Sequence, residues 1–263
     1  MGNLLHIRSG PLPAWLLRSH LRNPCALPVR NLPRPFGTSF LPAQLPGKAK
    51  DSPAVFGRRR RTSVSLAVSA ETGPQKVNVL FVCLGNICRS PSAEAVFKDK
   101  VAKAGLTDHF SIDSCGLGGG NEDWYLDRGW AYHEGHRADE RMRETATTRG
   151  FDLTSRSRPL KPEDLTAFDY ILGMDFDNMA LMQIAADHWA ATKDIPANYR
   201  NKVKLMCSFI PKSSSYNGVK EVPDPYWDDD RERRGFHRVL DLLEDACAGL
   251  LDTVVKEHGL QPK

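Results

Sequence analysis

The sequence has no long hydrophobic run. A helix that crosses a bilayer needs roughly 20 consecutive apolar residues. In these 263 residues every apolar stretch is broken much sooner by a polar or charged residue or by proline, as in "AWLLRSH". We therefore expect no membrane-spanning segment and no membrane partner.

Acidic residues are almost absent from the first 70 residues. This part contains eleven Lys and Arg against a single acid, Asp51, which gives a balance of +10. Subtracting it from the totals of 36 basic and 32 acidic residues leaves 25 against 31, a balance of −6, for the rest of the chain. The basic charge is thus confined to one end, which argues against a nucleic-acid partner for the folded part.

The first 70 residues also hold nine of the 18 prolines, together with seven serines. Such a composition does not bury a core. Arg, Ser and Pro without acids, ending in the small-residue stretch "VSLAVSA", are typical of an organellar transit peptide cleaved near Ala70. We expect residues 1–73 to be a targeting segment, for a plastid (chloroplast) in preference to a mitochondrion, and residues 74–263 to be the folded domain. A plain disordered basic tail is the alternative for the first part.

Paired cysteine motifs are missing as well. The six cysteines stand at positions 25, 83, 88, 115, 207 and 247, without the CxxC spacing that zinc sites and redox dithiols use. A disulfide framework is not indicated either. We expect reduced thiols, no metal and no cofactor.

Residues 74–263 contain β-branched apolar runs that alternate with amphipathic segments. These patterns predict strands alternating with helices. Such an order predicts an α/β fold: one domain of three layers, with helices on both faces of a central four-stranded parallel sheet. Ligands of these sheets bind beyond the carboxyl ends of the strands. The predicted strands are residues 76–83, 110–116, 168–175 and 202–210, and the predicted helices are residues 90–105, 138–150, 177–189 and 235–259.

The stretch "CLGNICRS", residues 83–90, connects the first predicted strand to the first predicted helix. A tight turn here directs backbone N–H groups inward at a helix N-terminus, an arrangement that binds a dianion. Gly85 and Asn86 tolerate the positive φ that the turn requires. Ser90 is expected to cap the helix and Pro91 to occupy its first position. The sequence therefore predicts a phosphate loop.

Cys83 and Arg89 give this loop its chemistry. Arg89 is suited to a bidentate contact with two phosphate oxygens, which Lys does not reproduce. Cys83, surrounded by N–H donors and by the positive end of the helix dipole, is expected to be a thiolate nucleophile toward phosphorus. A zinc site is a poorer interpretation because the ligand spacing is wrong. A nucleotide-binding loop is also poorer, because the second Gly and the Lys of GxxxxGK[ST] are missing.

Cleavage of a phosphate ester also needs a general acid, since a thiolate cannot protonate the leaving oxygen. The candidate is Asp224 in "EVPDPYWDDD", where it stands between two prolines in a rigid exposed turn. An ordinary turn residue is the alternative. The presence of Cys83 elsewhere in the chain favours the catalytic interpretation.

Residues 76–255 resemble the low-molecular-weight protein tyrosine phosphatases. The segment "VLFVCLGNICRSPSAEAVF" is similar to that family's signature, and "VPDPYW" is similar to its acid loop. The similarity continues through "SCG", "YHEGHRADERM", "FDYILGMDFDN" and "KVKLMCSFI". The resemblance implies a metal-independent phosphatase that acts on a phosphotyrosine-containing protein or a small aryl phosphate.

The resemblance also implies a role for each matching residue. Cys83 would become a phosphocysteine, Arg89 and the loop amides would hold the phosphoryl oxygens, and Asp224 would protonate the leaving group and then activate water. Cys88 would form a reversible disulfide with Cys83. The residues implied in substrate binding are Leu84, Gly85, Asn86, Ile87, Cys88, Ser90, Tyr132, Tyr226 and Trp227.

Five residues have supporting roles by the same resemblance. Ser90 would hydrogen-bond the thiolate, and Asn86 and Ser114 would stiffen the turn. Asp175 and Arg141 are interpreted as structural residues.

Departures from the family's pattern concern the rim of the pocket. Ser155 stands where animal members have His, Trp227 stands where a second Tyr is frequent, and the loop "GGGNEDWYLDRGW" is longer than usual. Ile87 stands where members that act on phosphoarginine tend to have Thr, which argues against that substrate. These departures leave the loop chemistry unchanged and concern the substrate.

Two other functions fit parts of the sequence. An arsenate reductase shares this fold and loop but relays oxidation through further cysteines close together, whereas Cys207 and Cys247 are far apart in sequence. A redox-regulated phosphoprotein-binding module with little turnover would keep the loop but would not need Asp224. The phosphatase is the preferred interpretation.

Overall fold

A computed structural model of the chain describes residues 76–191, 193, 195–228 and 233–262. The predicted transit peptide therefore lies outside the described residues. Four strands form one parallel sheet in the order β2-β1-β3-β4. The strands are β1 Val77–Cys83, β2 Phe110–Gly116, β3 Tyr170–Gly173 and β4 Val203–Leu205.

Six helices accompany this sheet in the described part of the chain. The longest, the last in the chain, has 25 residues. Among the described residues, no helix is both long and apolar enough to cross a membrane. The helices are α1 Arg89–Lys103, α2 Glu140–Thr147, α3 Pro162–Ala167, α4 Phe176–Ala190, α5 Tyr199–Lys202 and α6 Arg234–His258.

The central strand β1 divides the core in two. Its residues alternate between the faces of the sheet, as in any strand. Val79 and Phe81 pack into one apolar cluster, whereas Leu80 and Val82 pack into another on the opposite face. All four are fully buried, which is why the sequence of β1 is apolar almost without interruption.

Helices cover both apolar clusters. Side chains of α1, α2 and α6 fill the first, where Phe97 of α1 meets the rings of Phe81 and Phe110 edge to face at 5.7 and 5.6 Å. Side chains of α3 and α4, including Leu165 and Trp189, fill the second. The fold prediction is confirmed: the protein is a three-layer α/β structure with a four-stranded parallel sheet. This topology leaves the carboxyl end of β1, and with it Cys83, in the middle of the sheet edge.

The predicted bounds of several elements were wrong. The fourth strand ends at Leu205, because Met206–Phe209 form a 3-10 turn in which Met206 and Cys207 are buried. The third strand starts only at Tyr170, since the amide of Phe168 still bonds the carbonyl of Asp164 at the end of α3. The short helices α3 and α5 were not predicted.

Candidate active site

The backbone of residues 83–90 turns with its carbonyl groups outward. Three of these carbonyls accept hydrogen bonds from outside the loop: Leu84 O from Leu117 N (2.8 Å), Gly85 O from Ser157 Oγ (3.0 Å) and Ile87 O from Asp139 N (2.6 Å). In a trans peptide the next N–H points away from the carbonyl. The N–H groups of Gly85, Asn86 and Cys88 therefore point into the loop, as an anion site requires.

The sulfur of Cys83 lies inside this turn. The N–H of Asn86 donates to Sγ at 3.3 Å, and the hydroxyl of Ser90 lies 3.1 Å from it. The prediction that Ser90 caps α1 was wrong: the helix begins at Arg89, with Cys88 in the capping position. Ser90 thus lies in the first helical turn and its hydroxyl faces the sulfur. The sulfur thus lies among hydrogen-bonding groups at the N-terminus of α1.

Asn86 fixes the conformation of the loop. Its φ of 53° is in the left-handed region, which Asn adopts more readily than most residues. Its side-chain amide donates to the hydroxyls of Ser90 at 2.9 Å and Ser114 at 2.8 Å, and its Oδ1 accepts from the N–H of Arg158 at 2.9 Å. The buried amide is thereby fully bonded, so the turn is held before any ligand binds.

Two charged residues behind Asn86 were missed by sequence reasoning. Glu94, buried in α1, accepts from the hydroxyl of Ser114 at 2.6 Å and pairs with Lys98 at 2.5 Å. Arg158 forms ion pairs with Asp113 and Asp164, each at 2.9 Å. An acid on the apolar side of a predicted helix was a usable signal for Glu94. No local pattern indicated Arg158, since Asn86 and Asp113, two of its partners, lie 72 and 45 residues away in sequence.

Arg89 is buried with its guanidinium group at the mouth of the loop. Its Nη1 donates to Asp175 Oδ2 at 2.5 Å and to the carbonyl of Val222 at 3.1 Å. Burial alone would lower the pKa of Arg89, but the negative charge of Asp175, with smaller contributions from Cys83 and Asp224, raises it above the usual range. Asp175 also caps α4, accepting from the N–H of Asn178 at 2.6 Å. Asp175 therefore orients the arginine.

The predicted acid, Asp224, lies across the mouth of the loop from α1. Its Oδ2 is 3.5 Å from Arg89 Nη2, and its Oδ1 accepts from the N–H of Tyr226 at 3.1 Å. The loop that carries it is anchored to the sheet end, since Val222 N donates to the carbonyl of Met174 at 2.8 Å. The structure thus brings together Cys83, Arg89 and Asp224, which are separated by up to 141 residues in the chain (224 − 83).

Asp139 links the phosphate loop to the acid loop. Its N–H bonds Ile87 O, while its carboxylate accepts from the N–H and guanidinium group of Arg141 and from the hydroxyl of Tyr226 at 2.8 Å. Burial would raise the pKa of Asp139, but the hydrogen bonds from Arg141 and Tyr226 lower it. Tyr226, predicted at the rim, is thus half-buried beneath Arg141, whose Cζ lies 4.8 Å from its ring centre.

The second cysteine of the loop, Cys88, is buried. Burial, followed by the nearby Cys83, raises the pKa of the Cys88 thiol well above its usual range. Cys88 is therefore a neutral thiol at pH 7. Among the described residues the cysteines are free.

Aromatic side chains surround the loop. Tyr132 is 52% exposed and Trp227 is 67% exposed, so both predicted rim residues face solvent. His133 packs over the loop so closely that a Cβ on Gly85 would lie 3.1 Å from its Cδ2. The half-buried Leu84 and Ile87 complete the predicted rim. Within the described ranges, no cluster of three or more His, Cys, Asp or Glu is arranged to hold a metal ion.

Comparison with known proteins agrees with this geometry. The family model for low molecular weight phosphotyrosine protein phosphatase matches residues 78–260. A Synechocystis sp. protein, whose name places it among the low molecular weight protein-tyrosine-phosphatases, is 39% identical over 181 residues, covering 69% of this chain and 98% of that protein.

Solved structures show the same likeness. A protein tyrosine phosphatase from Entamoeba histolytica, crystallised with Hepes in its active site, has a TM-score of 0.56 at 38% identity, covering 70% of this chain and all of that one. The crystal structure of YfkJ from Bacillus subtilis has a TM-score of 0.55 at 31% identity, covering 70% of this chain and 97% of that one. With a family match over most of its length, the chain belongs to the low molecular weight phosphotyrosine protein phosphatase family.

Proposed function

We propose that this protein hydrolyses phosphotyrosine-like aryl phosphates, without a metal, through a cysteinyl-phosphate on Cys83. The reaction class follows from membership of a family of phosphoric monoester hydrolases. The single observation that carries the assignment to residues is the placement of Cys83 Sγ inside a turn of inward N–H groups, with Arg89 and Asp224 at its mouth.

In the first step the Cys83 thiolate attacks phosphorus. A sulfur–phosphorus bond forms as the bond from phosphorus to the phenolic oxygen breaks, and Asp224 transfers its proton to the leaving oxygen. The loop N–H groups and Arg89 hold the three other phosphoryl oxygens as their negative charge redistributes. Asp175 and the carbonyl of Val222 keep the arginine aimed at them.

In the second step water hydrolyses the phosphocysteine. The carboxylate of Asp224 takes a proton from the attacking water, the sulfur–phosphorus bond breaks and phosphate is released. The thiolate is now the leaving group. The hydroxyl of Ser90, 3.1 Å from Sγ, and the N–H of Asn86 are placed to stabilise it.

The decisive experiment is p-nitrophenyl phosphate hydrolysis in EDTA at mildly acidic pH. We expect the wild-type enzyme to turn over and Cys83→Ser to lose at least about 10⁴-fold in kcat, because the nucleophile is removed. Cys207→Ser is the matched control, since Cys207 is also buried but lies in the turn after β4. It should keep wild-type kcat.

Other outcomes of this experiment have definite meanings. Turnover that survives in Cys83→Ser would rule out the proposed nucleophile, and activity abolished by EDTA would contradict the metal-independent reaction. Phosphopeptide binding without turnover would instead support the binding-module alternative. Phosphoarginine serves as a comparison substrate, and a preference for it would contradict the inference from Ile87.

Two finer properties belong to the same proposal. A reversible disulfide between Cys83 and Cys88 would protect the nucleophile from further oxidation. The two residues are both buried in one loop of six residues, which supports this pairing. Inactivation by peroxide should then be reversed by a dithiol in the wild-type enzyme and become irreversible in Cys88→Ser.

The second finer property of the proposal is plastid targeting by residues 1–73. Its support is the composition of that segment, with eleven basic residues and one acid in the first 70.

A further inference from the structure

The exposed large apolar side chains of this protein are not scattered. Among the described residues they are Leu126, Trp130, Tyr132, Phe176 and Trp227. The first three follow β2, Phe176 follows β3, and Trp227 lies three residues after Asp224. All of them therefore stand in segments at the carboxyl edge of the sheet, where Cys83 lies, with Phe176 as the first residue of α4. Exposed apolar side chains gathered on one face indicate a binding surface.

Two of these residues, Trp130 and Tyr132, form a contiguous aromatic pair. Their ring centres are 4.5 Å apart at an angle of 66°, and each side chain is 52% exposed. Such amphipathic rings lose little conformational entropy when they bind a ligand. About half of each side chain is thus open to solvent.

The aromatic pair borders the phosphate loop. The N–H of Tyr132 donates to Gly118 O at 3.1 Å, and the N–H of Gly119 donates to Leu84 O at 3.0 Å. His133, next to Tyr132, packs over Gly85. Residues 132 and 133 are therefore connected to Leu84 through Gly118 and Gly119, and to Gly85 through His133, which places them beside the phosphate loop.

The segment that carries Trp130 is fixed in place. Trp124 is buried in the second core, where its ring meets that of Trp189 at 5.7 Å. The chain then turns back sharply: Arg128 has a φ of 68°, and a Cβ on Gly129 would lie 2.4 Å from the carbonyl oxygens of Asp123 and Trp124. Strain of this kind in a non-glycine residue is concentrated at functional sites.

A side-chain bond completes the turn. The side-chain amide of Asn121 donates to the carbonyl of Trp130 at 2.7 Å and so joins the two ends of the segment 121–130. One tryptophan is thus anchored in the core and the other is held outward at the rim. A surface held in this way loses little conformational entropy when it binds a ligand.

We propose that Trp130 and Tyr132 bind a large apolar residue adjacent to phosphotyrosine in a protein substrate. This inference rests on the proposed function, because the phosphotyrosine ring occupies the neighbouring phosphate loop. The aromatic pair is continuous with that site, and its rings offer apolar faces. The preferred substrate class is therefore a phosphotyrosyl segment with a flanking aliphatic or aromatic side chain, over a bare aryl phosphate.

The test compares phosphotyrosyl hexapeptides that carry Leu or Gly on either side of phosphotyrosine. Wild-type kcat/KM should be about tenfold higher for the Leu peptides, the factor that partial burial of one aliphatic side chain gives. Trp130→Ala should reduce this ratio to below about threefold, while Trp130→Phe should retain most of it, because an aromatic face remains. For p-nitrophenyl phosphate, Trp130→Ala should leave kcat/KM within about twofold of wild type, since this substrate has no flanking residue.

Leu126→Ala is the matched control, because Leu126 is an exposed apolar residue of the same segment that is not a member of the Trp130–Tyr132 ring pair. It should keep the wild-type preference. Equal kcat/KM for Leu and Gly peptides in the wild type, or a preference that persists in Trp130→Ala, would overturn the inference. So would an equal loss for peptides and p-nitrophenyl phosphate, which would show a general disturbance of the site.

Binding separates this inference from the proposed function. The dissociation constants of the same peptides for Cys83→Ser, measured by calorimetry, should show the same preference for Leu. Failure of the wild type to hydrolyse p-nitrophenyl phosphate would reject the proposed function, whereas equal dissociation constants would reject the role of the aromatic pair.

Discussion

At the scale of single residues, the catalytic assignment depends on the short distance between the Asp224 carboxylate and the Arg89 guanidinium group. The carboxylate Oδ2 of Asp224 lies 3.5 Å from Nη2 of Arg89, so the two charged groups form an ion pair across the mouth of the loop. A bound phosphate dianion would compete with Asp224 for Arg89.

The role of Asp224 as acid predicts a dependence on the leaving group. Asp224→Ala should slow turnover of phosphotyrosine by about 10² to 10⁴, because its phenol has a pKa of about 10 and needs a proton to leave. The more acidic nitrophenol needs less assistance, so p-nitrophenyl phosphate should be slowed less. The measurement is kcat/KM over a series of aryl phosphates.

Glu221→Gln provides the control for this prediction. Glu221 is a carboxylate of the same loop, and it accepts a bond from the N–H of Phe176 at 2.7 Å. It should change the rates, if at all, by the same factor for every leaving group. A uniform decrease across the series in Asp224→Ala would contradict the role of Asp224 as acid.

At the scale of secondary-structure elements, the N-terminus of α2 joins the two catalytic loops. Asp139 caps this helix, bonds Ile87 O through its N–H and receives the hydroxyl of Tyr226. Because Tyr226 N in turn bonds Asp224, a disturbance at Asp139 reaches the acid through one tyrosine. Nothing in the local sequence of "RADERM" required this connection.

This arrangement predicts a pH-dependent stability. The pKa of Asp139 is lowered from its usual 3.8 by Arg141 and Tyr226, so the carboxylate stabilises the fold above that pH and the stabilisation is lost as the pH falls below it. Asp139→Asn should therefore lower the free energy of unfolding by about 1 to 3 kcal/mol at pH 7, with a smaller difference below about pH 4.

Denaturant titrations at several pH values measure this difference. The control is Asp152→Asn, because Asp152 is an exposed carboxylate five residues after the end of α2 at Thr147. It should leave the free energy of unfolding unchanged at every pH. Tyr226→Phe in a double-mutant cycle with Asp139→Asn should show coupling of about 1 kcal/mol. A constant difference between Asp139→Asn and wild type from pH 3 to pH 7 would contradict the assigned charge.

The strand bounds show which structural features the sequence predicts and which it does not. The bounds of β1 and β2 were predicted to within one residue, because their apolar runs are buried and end at Cys83 and Gly116. The end of β4 was not, since "KVKLMCSFI" stays apolar while its backbone changes to a 3-10 turn that buries Met206 and Cys207. Hydrophobicity reports burial and does not distinguish these two ways of achieving it.

For the candidate site, too, the sequence could predict one part and not another. Cys83, Asn86 and Arg89 stand within seven residues and could be found from spacing. Spacing alone could not reveal Asp175 or Arg158, because both reach the loop only after the sheet has brought distant segments together. Asp175 was predicted as a structural residue only through the family resemblance, and Arg158 was missed. Sequence patterns identify chemistry that is local in the chain, whereas its support is assembled by the fold.

At the scale of the whole molecule, the charge balance changes close to the start of the family match. The first apolar cluster begins at Val77, and the family match covers residues 78–260. The preceding segment accounts for a charge of +10, against −6 for the rest. The two parts therefore have separable tasks if the first is a targeting signal.

This division predicts the properties of a chain that begins at residue 74. Its kcat/KM for p-nitrophenyl phosphate and its midpoint of thermal unfolding should equal those of the full chain, because every catalytic group and both apolar clusters follow Lys76. In an import assay with isolated organelles, the full chain should enter plastids and be shortened near Ala70, whereas the chain from residue 74 should stay outside. Import of the shortened chain would place the signal elsewhere, and a lowered unfolding midpoint would mean that residues 1–73 contribute to the folded domain.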